Sequence, residues 1–111
     1  MRFDEFIDVE MLSLQSVLER EQLWDLVHID VQGTETELCS ASAEILNERV
    51  RWLIIGMHSR KIDGDLIDLF FRQGWILENE KPTRFDYNPN AASLEAMTVM
   101  DGTQVWRNPR H

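Results

Sequence analysis

"LVHIDVQGTETEL", residues 26–38, is the stretch on which the fold turns. Residues 26–31 read as a strand, because Leu26, Val27, Ile29 and Val31 are apolar and β-branched residues dominate. Gly33 lets the backbone turn, and Thr34 followed three residues later by Glu37 predicts a capping box opening a helix. His28 and Asp30 lie two residues apart and so share one face of the strand. A polar pair at the end of an apolar strand has two explanations. It marks a site at the mouth of a parallel sheet, or it is the hydrogen-bonding punctuation with which a strand leaves the core.

Outward from this stretch the pattern alternates. The helix opened by Thr34 presents Leu38, Ala41, Ser42, Ile45 and Leu46 on its apolar face, with Cys39 on the flank. "WLIIGM", residues 52–57, follows as a second strand that is apolar on both faces, as a covered parallel strand is. Asp63 or Gly64 caps a second helix, "DLIDLFFRQ", which stops at Gly74, and residues 75–78 form a third strand. Upstream, Ser13 caps a short helix carrying Leu14, Val17 and Leu18. Pro82 and "NPNAAS" interrupt regular structure, and "MTVMDGTQVW" predicts a hairpin with Asp101-Gly102 in a type I′ turn. Trp24, Trp52 and Trp75 fall at strand margins and read as core residues. Residues 106–110 read as a cover over the crevice, a substrate contact or a solvated tail.

Strand, helix, strand, helix, strand is the order of a doubly wound α/β sheet, which binds ligands at the carboxyl ends of its strands. If residues 26–31 and 52–57 are neighbours, Asp30 and His58 face one crevice. His58 is a candidate general base, since its reference pKa lies near neutrality. His28 is expected as a packed polar residue. His28, Asp30 and His58 are also the right ligand types for zinc or iron, but no HExxH or CxxC spacing accompanies them, and no metal is assigned.

Composition narrows the partners. The chain has 111 residues, enough for one domain. Its 20 acidic residues against 11 basic ones leave a formal charge of -9, which repels phosphate backbones and argues against nucleic acid. The acidic opening "MRFDEFIDVEML" is unlike a signal peptide, and no apolar run reaches the roughly 20 residues of a membrane helix. A single cysteine, Cys39, has no internal disulfide partner and suits a reducing compartment. The expectation is a cytoplasmic protein without a membrane segment.

Residues 25–35, "DLVHIDVQGTE", resemble the signature D-L-[LV]-K-I-D-[VI]-[EQ]-G-x-E of the FkbM-type methyltransferases. "GMHSR" (56–60), "GW" (74–75) and "DGTQVWRNPR" (101–110) are similar to a subset of that family. His28 replaces the usual lysine, and Gly56 stands where many members carry an acid. The resemblance implies a Rossmann-like fold, S-adenosylmethionine as cofactor and methyl transfer to a small-molecule hydroxyl. It further implies Asp30 and Glu35 as cofactor-binding residues and places Asp30 beside the acceptor, so that Asp30 and His58 are the catalytic candidates.

The family builds its cofactor site with a glycine-rich turn in an N-terminal half, and no glycine precedes Leu26 here. The resemblance therefore implies an α/β, Rossmann-like methyltransferase half-domain with parallel strands, crossover helices and a C-terminal antiparallel hairpin. Two expectations follow: weak cofactor binding by this chain alone, and a homo-oligomer formed through the edge of strand 26–31. The alternative is a non-catalytic interaction module, or a fragment of a methyltransferase without function.

Overall fold

The first strand and its turn arise from the opening stretch much as its pattern predicts. The computed structural model describes residues 14–31 and 33–111. The expected cap Ser13 lies outside them. Helix α1 (Leu14–Leu18) buries Leu14, Val17 and Leu18, and the Trp24 indole N–H donates to the Leu18 carbonyl at 3.0 Å, tying the helix to the start of β1 (Trp24–Ile29). After Gly33, with φ at +83°, the chain enters α2 (Glu35–Ala41) and α3 (Ala43–Arg49), then β2 (Val50–Met57). One helix was expected here. Two form, meeting at Ser42, and Cys39 is fully buried rather than on a flank while Ala41 is exposed.

Helix α4 (Arg60–Arg72) starts earlier than Asp63 or Gly64. Its cap is Ser59, whose Oγ accepts from the Ile62 N–H at 3.2 Å. Asp63 is instead drawn inward, accepting from the Thr83 N–H at 2.8 Å and the Thr83 hydroxyl at 2.7 Å. The end of α4 is as expected, with Gly74 at φ +83° and the Trp75 N–H donating back to the Phe70 carbonyl at 2.9 Å. Strands β3 (Ile76–Lys81), β4 (Arg84–Phe85), β5 (Thr98–Met100) and β6 (Gly102–Arg107) complete the chain.

The main sheet has the order β1-β2-β6-β3, with β1 and β2 parallel and joined through α2 and α3. The other two pairings are antiparallel. The third strand is therefore not the parallel neighbour of β2, because β6 lies between them. Since β2 and β3 each oppose β6, the strands β1, β2 and β3 still run in one direction. The hairpin expected at residues 97–106 does not form: β5 pairs with β4 in a separate two-stranded sheet. Asp101 and Gly102 both lack the positive φ that a type I′ turn demands. Gly102 is required for another reason, since a Cβ there would lie 2.6 Å from the Thr83 backbone nitrogen and 2.7 Å from the Lys81 carbonyl oxygen.

The core gathers α1, α3 and α4 against one sheet face. Leu53, Ile55 and Met57 of β2 are fully buried and meet Leu46, Leu66 and Phe70 in one apolar cluster. Trp24, Trp75 and Trp106 join it, and Trp106 packs 5.3 Å from the Phe70 ring centroid. Trp52, expected in the core, is 37% exposed, so the opposite face of β2 is only partly covered among the described residues. Of residues 106–110, Trp106 and Asn108 are buried whereas Pro109 and Arg110 are exposed. Asn108 is buried and its amide donates to the carbonyls of Asn47 and Val50, both at 2.7 Å, sealing the start of β2. No helix among the described residues is long and apolar enough to cross a membrane.

Candidate functional site

Three strand ends converge on one histidine. His58 follows the last residue of β2, Asp30 follows the last residue of the parallel β1, and Asp101 precedes the first residue of the antiparallel β6. The pairing of Met57 with Gly102 places Asp101 beside His58 by register alone. Glu35 arrives from the first turn of α2, which Gly33 aims back toward the sheet.

The contacts are specific. His58 Nδ1 lies 2.6 Å from Glu35 Oε1, while Nε2 lies 3.4 Å from Asp30 Oδ1 and 3.6 Å from Asp101 Oδ2. Both His58 and Glu35 are buried, Glu35 completely, whereas the side chains of Asp30 and Asp101 are 58% and 63% exposed. The site thus has a buried acid behind the imidazole and two open carboxylates in front of it. The Thr98 hydroxyl donates to the His58 carbonyl at 2.8 Å, which latches β5 to the same point. Gly56 makes room for the arrangement, because a Cβ there would come within 3.1 Å of the Asp30 carboxyl carbon.

Electrostatics follow from these distances. Burial raises the Glu35 pKa above its ordinary value, only partly offset by its own backbone N–H and by His58. For His58, burial works against the charged ring, but the hydrogen bond and charge of Glu35, then the charges of Asp101 and Asp30, outweigh it and raise the pKa. A contact of 2.6 Å between a carboxylate and an imidazole requires a proton in the gap, and carboxylates on both nitrogens favour the imidazolium. Among the described residues Glu35 Oε2 is buried without a hydrogen-bond partner, and the carboxylate is held by its own backbone N–H and by His58. The same carboxylate, added to burial, pushes the Cys39 thiol up to about 12, with burial the larger cause, and an unionised thiol is a poor nucleophile.

The structure brings together Asp30, Glu35 and His58, the three site residues expected from sequence. His28, the other metal candidate, is exposed on the strand, and among the described residues no group of three or more His, Cys, Asp or Glu is arranged to hold a metal ion. Asp101 reads in the sequence as a turn residue, and the structure adds it to the site. Its only sequence signal was its place next to a glycine that admits close backbone approach. Beside the cluster an open groove of about 330 Å³ runs between α2 and α4, lined by Gly33, Thr36, Ser59, Ile62 and Glu95. It adjoins the site through Gly33 and Ser59 but does not include Asp30 or His58.

No protein-family model and no solved structure matches the chain. The chain is 33% identical over 85 residues to a curated protein of Jannaschia sp. (strain CCS1) named "Putative methyltransferase". That match takes in 77% of this chain and 29% of the Jannaschia protein, so the chain spans less than a third of the length of the relative it resembles.

Proposed function

We propose that the chain is the acceptor-side portion of an S-adenosylmethionine-dependent methyltransferase domain of FkbM type and Rossmann-like architecture, transferring a methyl group to a hydroxyl oxygen. The observation that carries this reading is the meeting of Asp30, Glu35 and His58 at the carboxyl ends of two parallel strands. The similarity to the Jannaschia protein supports it, as does the common direction of β1, β2 and β3.

The cofactor supplies the methyl group as a sulfonium cation. Asp30 is an open carboxylate and suits a cationic or hydroxyl-bearing neighbour. Glu35 is fully enclosed, so within this reading it acts through His58 rather than by touching the cofactor. Methylation of an alcohol is an in-line displacement that needs alignment and a group to take the hydroxyl proton. An imidazolium has no free lone pair, so the proton goes to Asp30. Before that transfer the His58 imidazolium, 3.4 Å away at Nε2, holds the Asp30 carboxylate in place by its charge.

Calorimetric titration of the 111-residue chain with S-adenosylmethionine tests the partial-site expectation. Binding no tighter than about millimolar is the expected result, because loss of several contacts at about 1.4 kcal/mol per tenfold exhausts the affinity. A fusion to the remainder of the Jannaschia relative is then assayed for methyl transfer to alcohols by intact mass. Turnover that Asp30→Asn lowers by roughly 100-fold or more supports the reading. Micromolar binding by the isolated chain, or a fusion whose turnover ignores Asp30→Asn, overturns it.

A further inference from the structure

We propose that Asp101 is a positioning residue of this site, holding His58 Nε2 from the β6 side while Asp30 holds it from the β1 side. The inference rests on the methyltransferase reading for its purpose, but on geometry for its substance. The Asp101-Gly102 pair reads in sequence as a type I′ hairpin turn, yet neither residue has the positive φ such a turn demands. Gly102 packs where any Cβ would strike the backbone of Lys81 and Thr83, and Thr83 is pinned by two hydrogen bonds to Asp63. The start of β6 is thereby fixed against α4 and the end of β3. Its pairing with Met57 fixes it against β2 as well. Asp101 is carried into place by these neighbours, with its carboxylate 3.6 Å from His58 Nε2.

Two carboxylates before one ring N–H divide the work. Glu35 on Nδ1 sets the ring's orientation, and the Asp30 and Asp101 carboxylates stand at ion-pair distance from Nε2, 3.4 and 3.6 Å away. When Asp30 receives a proton or turns to a substrate hydroxyl, it ceases to stabilise the imidazolium. Asp101 keeps that charge in place, so the ring neither loses its proton nor swings toward solvent. The three carboxylates facing the ring come from α2, from the end of β1 and from the start of β6, and the contact from β5 is the uncharged Thr98 hydroxyl at the backbone.

The test is a side-chain nitrogen NMR titration of the 111-residue chain, which holds three histidines, with His58→Gln assigning the His58 signal. Asp101→Asn is expected to shift the His58 titration to lower pH while leaving His28 and His111 unmoved, and Asp101→Glu to restore it. Asp68→Asn, an exposed acid on α4, serves as the control for total charge and is expected to have no such effect. If Asp101→Asn impairs folding, Asp101→Ser is titrated in its place. A His58 titration unchanged in the folded variant, or moved equally by Asp68→Asn, overturns the proposal. In the fusion enzyme, Asp101→Asn is expected to move the pH profile of methyl transfer. A fusion that transfers no methyl group defeats the functional reading, whereas the titration still decides the role of Asp101.

Discussion

His58 and Glu35 share a proton that the folded chain binds more tightly than the unfolded one, and this sets how the protein responds to pH. Both groups are raised above their ordinary values of 6.5 and 4.5. A raised folded pKa means that the native state binds more protons, so stability falls as pH rises. The contribution of His58 is fully present below about pH 6.5 and is lost as pH climbs through its higher folded value. Glu35 adds the same sign from 4.5 upward. The melting temperature of the wild-type chain is therefore expected to decline on the alkaline side of pH 6.5, and that decline to flatten in His58→Gln. Equal slopes in the two proteins would remove the pair from the pH response. At this scale Asp30 and His58 were legible as a pair because each ends a strand. The partnership of Glu35 with His58 was not, because a carboxylate in the first turn of a helix already has a local reason to be there.

Elements declare themselves through their ends, and some of these ends are set by local signals while others are set by contacts across the fold. Gly74 terminates α4 as its lack of a side chain allows, with Trp75 closing the turn. Thr34 precedes α2 as expected but makes no side-chain cap hydrogen bond, so the capping box is absent. Asp63 looks like a cap and is none. It is committed to Thr83, and Gln104 donates to its carbonyl at 3.0 Å, both contacts made across the fold. Ser59 caps α4 instead. Ser59→Ala is expected to cost about 1 kcal/mol in urea denaturation, and Thr34→Ala only a small fraction of that. Comparable losses from the two variants would show that Ser59 matters less as a cap than its geometry indicates.

The last ten residues decide the whole molecule. Strand β6 lies between β2 and β3, and its Trp106 is buried against Phe70 with its N–H donating to the buried Gln104 at 2.9 Å. Trp106→Ala is expected to cost about 3–5 kcal/mol, a large part of the ~5–15 kcal/mol that holds a domain together. The readout is the urea midpoint and the cooperativity of unfolding. A midpoint close to wild type would mean that the sheet closes without this strand's anchor. By itself the sequence determined a mixed α/β domain whose first two strands are parallel, joined by helix and ended by Asp30 and His58. These features depend on short-range periodicity, glycine turns and the crossover rule, all of which act within a few dozen residues. Only the tertiary structure decided that β6 would part β2 from β3, that α2 and α3 would break at Ser42, and that Asp101 would reach the site. The reason is physical: Asp101-Gly102 is compatible with a hairpin locally, and what excludes the hairpin is the pairing of β6, with its buried Gln104 and Trp106, to strands some fifty and thirty residues upstream. Such pairing depends on which distant faces match, and no local pattern encodes it.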